Sequence, residues 1–146
     1  MKHRDAGFTV LELAIVLIVS VAILAVAVPT LGRAIDSYRL SGRASEIASE
    51  LNYARARAVM INTTLTFTFA DGTYGLDPAP ANRPRRSIPK DVTFSPEASS
   101  IPTLLFRSNG TISPQTSFVM TNKRGQQVTI SVQASGRVMV SDVENF

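Results

Sequence analysis

The chain has 146 residues, a length that allows one domain of ordinary size. It contains no cysteine, which excludes disulfide bonds, thiolate metal ligands and a cysteine nucleophile, and its only histidine is His3. Fifteen lysines and arginines against eleven aspartates and glutamates give a formal net charge of +4, an excess too mild to indicate a nucleic-acid partner by itself.

The N-terminal segment combines a short basic leader with an almost unbroken apolar run. Residues 13–28 contain one polar residue, Ser20, and at ~1.5 Å per residue they would extend about 24 Å, short of a ~30 Å hydrocarbon core. Adding residues 8–11 brings the span to about 32 Å, so the pattern predicts a transmembrane helix with Glu12 inside the membrane or at its edge. The basic residues at 2–4 predict a cytoplasmic N-terminus, with the rest of the chain across the membrane.

The segment 7–13, Gly-Phe-Thr-Val-Leu-Glu-Leu, resembles the prepilin peptidase site of type IV pilins and type II secretion pseudopilins. The resemblance implies that residues 1–7 are a leader, which the peptidase removes after Gly7, and that the new terminal residue, Phe8, is N-methylated. It also makes Glu12 the fifth residue of the mature chain, where the family carries a glutamate. Pro29 falls where many members have a helix-kinking proline. By the same resemblance, residues 8–29 are expected to form a transmembrane and filament-core helix.

Glu12 would need a partner inside a helix bundle that excludes water, because an unpaired carboxylate there costs several kcal/mol. Cleavage after Gly7 would create a charged amine on Phe8, and the four-residue separation corresponds to about 6 Å along a helix. A neighbouring subunit displaced by that amount could bring its Phe8 amine to Glu12, and the pair would set the stagger between subunits. The alternative is that Glu12 only stabilises the positive end of its own helix.

Two other interpretations of this segment stay open. It could be a secretory signal peptide, with Ala-Val-Ala at 25–27 as the cleavage site. It could also be a plain single-pass anchor in which Gly7 and Glu12 have no special role. N-terminal sequencing distinguishes the three cases, because the mature chain would begin at Phe8 for a pilin-like subunit, at Val28 for a signal peptide and at Met1 for an anchor.

Residues 30–62 continue the helical pattern and change it to an amphipathic one. Apolar residues recur at three- and four-residue spacing, which predicts one stripe that packs on a globular domain. The predicted stripe consists of Leu31, Ile35, Tyr38, Ala44, Ile47, Leu51, Ala54, Ala58 and Ile61. Such a long continuous helix is unusual for an enzyme and ordinary for a pilin.

Residues 63–146 are predicted to form an antiparallel β domain. Phe67 and Phe69 alternate with threonines in the first strand, and the following Asp71-Gly72 pair predicts a hairpin turn. Residues 77–90 contain four prolines and are expected to form an exposed loop. Further strands are predicted at 74–76, 92–94, 104–106, 118–121, 127–132 and 137–140. The expected fold class is α+β, a long N-terminal transmembrane and amphipathic helix packed on a C-terminal antiparallel β domain, as in the pilin fold.

Short motifs in the C-terminal half resemble the H-type pseudopilin family, which comprises GspH and the FimT and FimU minor pilins. The motifs are Phe106-x-x-x-Gly110, Asn122-x-x-Gly125, Ile130-x-Val132 and Ser135-Gly136-Arg137-Val138. The resemblance implies a minor subunit that acts at the tip or in initiation of a filament, and it does not distinguish a type IV pilus from a type II secretion pseudopilus. A plain β-meander with turns at this spacing would account for part of the pattern.

Basic side chains of the β domain are the candidates for nucleic-acid contact. They are Arg83, Arg85, Arg86, Lys90, Lys123, Arg124 and Arg137. Some FimT-type pilins bind DNA through a C-terminal Gly-Arg-x-Arg, but residues 136–139 of this chain read Gly-Arg-Val-Met and lack the second arginine. No aromatic residue lies between the basic residues of the 83–90 segment to stack on bases, and the simpler interpretation is a solvated charged loop.

The sequence predicts a minor pilin or pseudopilin that is not an enzyme and has no cofactor, because a mature chain without histidine lacks the usual general base. The subunit is expected in the bacterial inner membrane with its β domain in the periplasm, and then in a pilus or pseudopilus. The expected partners are other pilin or pseudopilin subunits, the prepilin peptidase and an inner-membrane assembly platform. The alternatives are a DNA-binding minor pilin and an anchored periplasmic enzyme, and a calcium site is left open.

Overall fold

The computed structural model describes residues 8–144, apart from the side chains of Val26, Pro29 and Thr30. The predicted leader, residues 1–7, therefore lies outside the described residues. The chain divides into two compact units, Met1–Ile35 and Asp36–Phe146. One helix, α1, covers Val10–Met60 and contributes residues to both units.

In the first unit, helix α1 exposes its apolar side chains. Phe8 is 83% exposed, and every large aliphatic side chain of residues 10–24 is exposed as well. No helix in the described part of the chain combines the length and the apolar character needed to cross a membrane. The transmembrane segment expected over residues 8–29 is therefore not confirmed. Pro29 lies within α1, and the kink expected there stays a prediction.

Nine strands follow the helix within residues 8–144. They are β1 Leu65–Ala70, β2 Thr73–Asp77, β3 Arg86–Ser87, β4 Val92–Ser95, β5 Leu104–Phe106, β6 Ile112–Ser113, β7 Thr116–Asn122, β8 Gln127–Val132 and β9 Val138–Val140. A short 3-10 helix, Ala98–Ser100, separates β4 from β5. The strands pair antiparallel in two sheets, with the orders β3-β2-β1-β5-β6 and β4-β7-β8-β9.

The α+β class and the antiparallel β domain are confirmed, but the division of the strands into two sheets was not predicted from the sequence. The predicted strands at 104–106 and 127–132 coincide with β5 and β8. The sequence does not predict β3 or β6, which have two residues each. β3 lies in the proline-rich segment 77–90 and pairs with β2 as an edge strand, a position that tolerates nearby prolines.

The first hairpin turns at the predicted Asp71-Gly72 pair. Both residues have positive φ, 53° for Asp71 and 67° for Gly72, and the flanking pair is Ala70↔Thr73. Two consecutive left-handed residues give the turn whose twist matches that of antiparallel strands. The turn prediction is therefore confirmed.

The core of the second unit lies between helix α1 and the two sheets. The helix buries Leu40, Ala44, Ile47, Leu51, Ala54 and Ala58 at three- and four-residue spacing. The predicted stripe is thus confirmed from Ala44 to Ala58. It is wrong at its two ends, where Leu31, Ile35, Tyr38 and Ile61 are exposed. Periodicity identifies an apolar face of a helix but cannot show how far that face is covered.

Aromatic rings join the two sheets inside this core. Phe69 on β1 makes an edge-to-face contact with Phe118 on β7, with ring centroids 5.4 Å apart. Phe69 also stacks on Tyr74 at 5.9 Å and packs against Phe94 on β4 at 6.3 Å. Because such pairs add to the free energy of burial, they favour one fixed arrangement of the sheets.

Candidate functional site

The N-terminus of α1 carries a reciprocal capping box formed by Thr9 and Glu12. The backbone N–H of Glu12 donates to Thr9 Oγ1 at 3.2 Å, and the N–H of Thr9 donates to Glu12 Oε2 at 3.4 Å. The helix begins at the next residue, Val10. This box satisfies two backbone donors that lack partners at the start of a helix. Glu12 therefore has a local structural role, as in the alternative that the sequence left open.

The same segment contains the residues expected to act in processing and assembly. Gly7 lies outside the described residues, and Phe8 directly precedes the cap with its side chain exposed. The Thr-x-x-Glu spacing at 9–12 is the sequence signal that predicts a capping box.

The segment that follows β2, together with the start of β3, is attached to α1 through a buried carboxylate, Glu50, whose side chain is only 7% exposed. Arg83 donates to Glu50 from Nε and Nη2 at 3.0 and 2.9 Å, and Arg86 donates from Nε at 2.8 Å. Arg86 also donates to Glu46 at 3.0 Å, and the Arg83 guanidinium lies 4.0 Å from the ring centroid of Tyr53. We call these five residues the arginine staple.

The charges of the arginine staple stabilise one another. Burial alone raises the pKa of Glu50, but the hydrogen bonds and positive charges of Arg83 and Arg86 outweigh it and hold the pKa below the ordinary value of 4.5. Hydrogen bonds to Glu50 in turn raise the pKa of both arginines. Burial, with a smaller contribution from the Glu46 charge, raises the pKa of nearby Tyr74 to about 12. At neutral pH the carboxylate and both guanidinium groups are therefore charged.

Arg85 is held by neutral partners on the first hairpin. Its Nη1 donates to Thr68 Oγ1 at 2.7 Å and its Nε donates to Thr73 Oγ1 at 3.0 Å. A Cβ added at Gly75 would lie 3.3 Å from the Arg85 Cα, so the glycine allows the two backbones to approach closely. Arg85 thus connects β1 and β2 and uses most of its donors within the domain.

The other four basic candidates divide into one paired and three unpaired residues. Arg124 Nε lies 2.5 Å from Asp36 Oδ2, an ion pair that joins the β7–β8 turn to α1. Lys90, Lys123 and Arg137 are exposed and have no ion-pair partner within residues 8–144. Of the seven candidates for nucleic-acid contact, these three are the ones without an ion-pair or hydrogen-bond partner described above.

A shallow cleft near the β7–β8 turn contains charges of both signs. Its walls include Arg39, Lys123 and Arg124 together with Asp36 and Asp91. Alternating signs weaken the attraction for a phosphate backbone, which depends on uncompensated positive charge.

The structure therefore does not bring the basic candidates into one nucleic-acid surface. The guanidinium groups of four candidates, Arg83, Arg85, Arg86 and Arg124, have partners within the protein although they are partly exposed. The first three are thus more than a solvated charged loop. No described aromatic side chain lines the mixed-charge cleft to stack on a base. The arrangement does not favour the DNA-binding alternative.

Arg55 on α1 joins two turns that belong to different sheets. Its Nε donates to the Gly110 carbonyl at 3.0 Å and its Nη2 donates to the Ser135 carbonyl at 3.2 Å. Gly136 has a φ of 79°, and a Cβ added there would collide with the Gly110 carbonyl oxygen and lie 2.6 Å from Arg55 Nε. We call Arg55, Gly110, Ser135 and Gly136 the Arg55 clamp.

The Arg55 clamp explains why two of the C-terminal motifs have glycine at positions 110 and 136. Both glycines have a left-handed φ of 79°, which favours glycine, and at Gly136 the space also excludes a side chain, whereas a Cβ at Gly110 would make only ordinary contacts with Arg55 and Val59. The sequence motif identifies both glycines. Nothing in the sequence indicates that Arg55, distant along the chain, is their common partner.

Acidic side chains do not converge on a metal position in the part of the chain that the structure describes. No group of three or more histidine, aspartate or glutamate side chains could hold an ion there. Asp36, Glu46 and Glu50 already pair with arginines. Asp71 and Glu97 line an open cleft whose other walls include Phe69 and Phe94.

Two solved structures share the fold, both of the type IV minor pilin FimU from Pseudomonas aeruginosa strain PAO1. The crystal structure in space group P21 has a TM-score of 0.56 and 20% identity, and the match covers 73% of this chain and 90% of that chain. The structure in space group P65 has a TM-score of 0.53 and 22% identity, with 70% and 92% covered. No curated protein matches the sequence. At these identities the likeness shows the fold.

A family assignment comes from the sequence itself. The family described as type II transport protein GspH matches residues 43–136, more than half of the chain. The matched region begins within α1 and ends at Gly136, so it includes the whole arginine staple and the whole Arg55 clamp. The chain therefore belongs to the type II transport protein GspH family.

Proposed function

We propose that the chain is a minor pilin or pseudopilin, a non-catalytic subunit of a type IV pilus or a type II secretion pseudopilus. Membership of the GspH family carries this proposal, because pilins and pseudopilins are structural subunits that associate with other subunits of their kind. The FimU-like fold supports it.

The proposed life of the subunit begins in the inner membrane. The prepilin peptidase removes the leader after Gly7, Phe8 is N-methylated, and the β domain lies in the periplasm until an assembly platform moves the subunit into a filament. The basic leader and the apolar run of the sequence support this order. The exposed aliphatic side chains of residues 10–24 support it too, because such a surface is stable only when lipid or neighbouring helices cover it.

Glu12 is proposed to act in assembly through its charge, by pairing with the Phe8 amine of a neighbouring subunit. The capping box allows this role to be separated from the local one. Glu12→Gln retains a side chain that suits the third position of a capping box but removes the charge, whereas Thr9→Ala removes the cap and keeps the charge.

The matched pair tests the proposal directly. Each variant is expressed with the other subunits of its filament system, and its incorporation into sheared or purified filaments is measured by immunoblot. We expect Glu12→Gln to be excluded and Thr9→Ala to be incorporated. Normal incorporation of Glu12→Gln, or exclusion of Thr9→Ala alone, would limit Glu12 to a helix cap.

The processing step has its own test, which is independent of assembly. Mass spectrometry of the chain from isolated membranes is expected to give a mature N-terminus at methylated Phe8, and replacing Gly7 should block the cut. A mature chain that starts at Met1 or Val28 would contradict processing by a prepilin peptidase.

A further inference from the structure

Strand β9 leaves one side of its backbone without a partner within residues 8–144. It is the last strand of its sheet. At its two ends Gln133 N donates to the Arg137 carbonyl at 3.0 Å and Ser141 N donates to the Thr129 carbonyl at 2.9 Å. Hydrogen-bonded pairs alternate along an antiparallel ladder, so Val138 and Val140 direct their N–H and C=O groups away from β8.

The other sheet edges of the described chain have features that limit pairing. On β6, Ile112 N already donates to the Ala134 carbonyl at 3.0 Å. β3 has two residues, of which Arg86 is charged, and β4 is followed directly by Pro96, which has no N–H. β9 reads Val-Met-Val, with neither a charge nor a proline.

The apolar face of the sheet is only partly covered at β9, and least at Val140. Val138 and Val140 stand opposite Val132 and Ile130 and share their core-facing side. Ile130 is fully buried, whereas Val140 is 37% exposed. A further strand beside β9 would therefore satisfy the outward backbone groups and cover apolar surface at the same time.

We propose that a second copy of this chain supplies that strand, by antiparallel pairing of the two β9 edges around Met139. Regular edge structure is limited to residues 137–141, because Gly136 lies in a turn on one side and a bulge follows on the other. The bulge is evident from the spacing, because two residues lie between Ser141 and Glu144, whereas only Val128 lies between their partners Thr129 and Gln127.

The register follows from this window. Residues whose backbone N–H and C=O groups point away from β8 must pair with residues of the same kind, so Val138 pairs with Val140 of the second copy. Met139 then faces Met139 of the second copy across a two-fold axis. Each Arg137 then lies beside Ser141 and Asp142 of the other copy. Arg137 and Asp142 are exposed and have no ion-pair partner within residues 8–144, so the two ends of the edge are complementary in charge.

The absence of cysteine from the chain allows a direct test. Met139→Cys in the full chain, purified in detergent, would place two thiols at a non-hydrogen-bonded pair with Cα atoms about 4.5 Å apart, within the roughly 4.4–6.8 Å that a disulfide accepts. We expect disulfide-linked dimers to form about tenfold faster than from Ser99→Cys, an exposed control far from β9 in the sequence, because edge pairing raises the effective thiol concentration.

A second variant keeps the proposal open to refutation if Met139→Cys folds poorly. Val140→Lys places a charge on the edge, and we expect it to shift the chain to monomers in sedimentation, whereas Gln133→Lys, in the β8–β9 turn, should sediment like the unaltered chain. Equal cross-linking of the two cysteine variants, an unaltered chain that sediments as a monomer, or pairing only with a different subunit would overturn the proposal. None of these outcomes depends on whether the chain enters a filament.

Discussion

Arg83 binds Glu50 through two parallel hydrogen bonds, from Nε to Oε2 at 3.0 Å and from Nη2 to Oε1 at 2.9 Å. The bond joins residues 33 positions apart and fixes a proline-rich segment to the helix. A bidentate pair of this kind combines charge with a defined geometry. The basic residues that suggested a nucleic-acid contact are thus first of all part of the fold.

Replacing Glu50 with Gln should lower the free energy of unfolding of the unit Asp36–Phe146 by about 2 kcal/mol, because two guanidinium groups lose a charged acceptor. Urea unfolding measures the change. Glu97→Gln is the matched control, since Glu97 is exposed. If both variants unfold at the same urea concentration, the arginine staple contributes little to stability.

The contribution of Glu50 should depend on pH in a defined direction. Its pKa in the folded chain lies below 4.5, so the unfolded chain binds the proton more readily. The stability difference between the unaltered chain and Glu50→Gln should therefore be complete at pH 6–7, well above the unfolded pKa, and should shrink as the pH falls below 4.5 and through the folded pKa. Unfolding curves at neutral and acidic pH measure it, and a difference that grows in acid would contradict the assignment.

Gly136→Ala and Gly125→Ala separate backbone strain from crowding. Both glycines have a φ of 79°, but a Cβ at Gly125 meets open space, whereas one at Gly136 meets the Gly110 carbonyl and Arg55. We expect a loss of about 1 kcal/mol for Gly125→Ala and about 3 kcal/mol for Gly136→Ala, measured by urea unfolding. Equal losses would show that the Arg55 clamp yields easily to an added methyl group.

Arg55→Lys tests the clamp from the helix side. Lysine cannot present two separate donors in a planar fork, so the Gly110 and Ser135 carbonyls would lose a shared partner, at a cost of about 1.5 kcal/mol. Arg57→Lys is the control, because the Arg57 side chain donates to Tyr53 on the same helix, at 3.4 Å, and not to a turn of either sheet among the described residues. Its effect should stay within about 0.5 kcal/mol. Equal unfolding midpoints for the two variants would contradict the clamp.

Periodicity and turn chemistry predicted the parts of the fold that depend on neighbouring residues. The stripe from Ala44 to Ala58, the Asp71-Gly72 turn and strand β8 all followed from local patterns. The Thr9–Glu12 capping box could also have been predicted, because its spacing is a known sequence signal.

The contacts that build the two structural sites could not be predicted in this way. Glu50 lies off the apolar stripe, where a pattern cannot distinguish a buried carboxylate from a solvated one. Its partners Arg83 and Arg86 lie in a segment whose prolines predict a loop, and their pairing depends on how that segment folds back on the helix. Arg55 and Gly136 are likewise neighbours only in the tertiary structure.

The Arg55 clamp has a mechanical consequence. One guanidinium holds a turn from each sheet, so part of a tensile load applied to the helix around Arg55 reaches both sheets through a single side chain. The arginine staple lies close by in sequence on the same helix and adds a second anchorage, at Glu46 and Glu50. Detaching this part of the helix from the β domain would therefore require these polar attachments to break in addition to exposing the buried apolar face of α1.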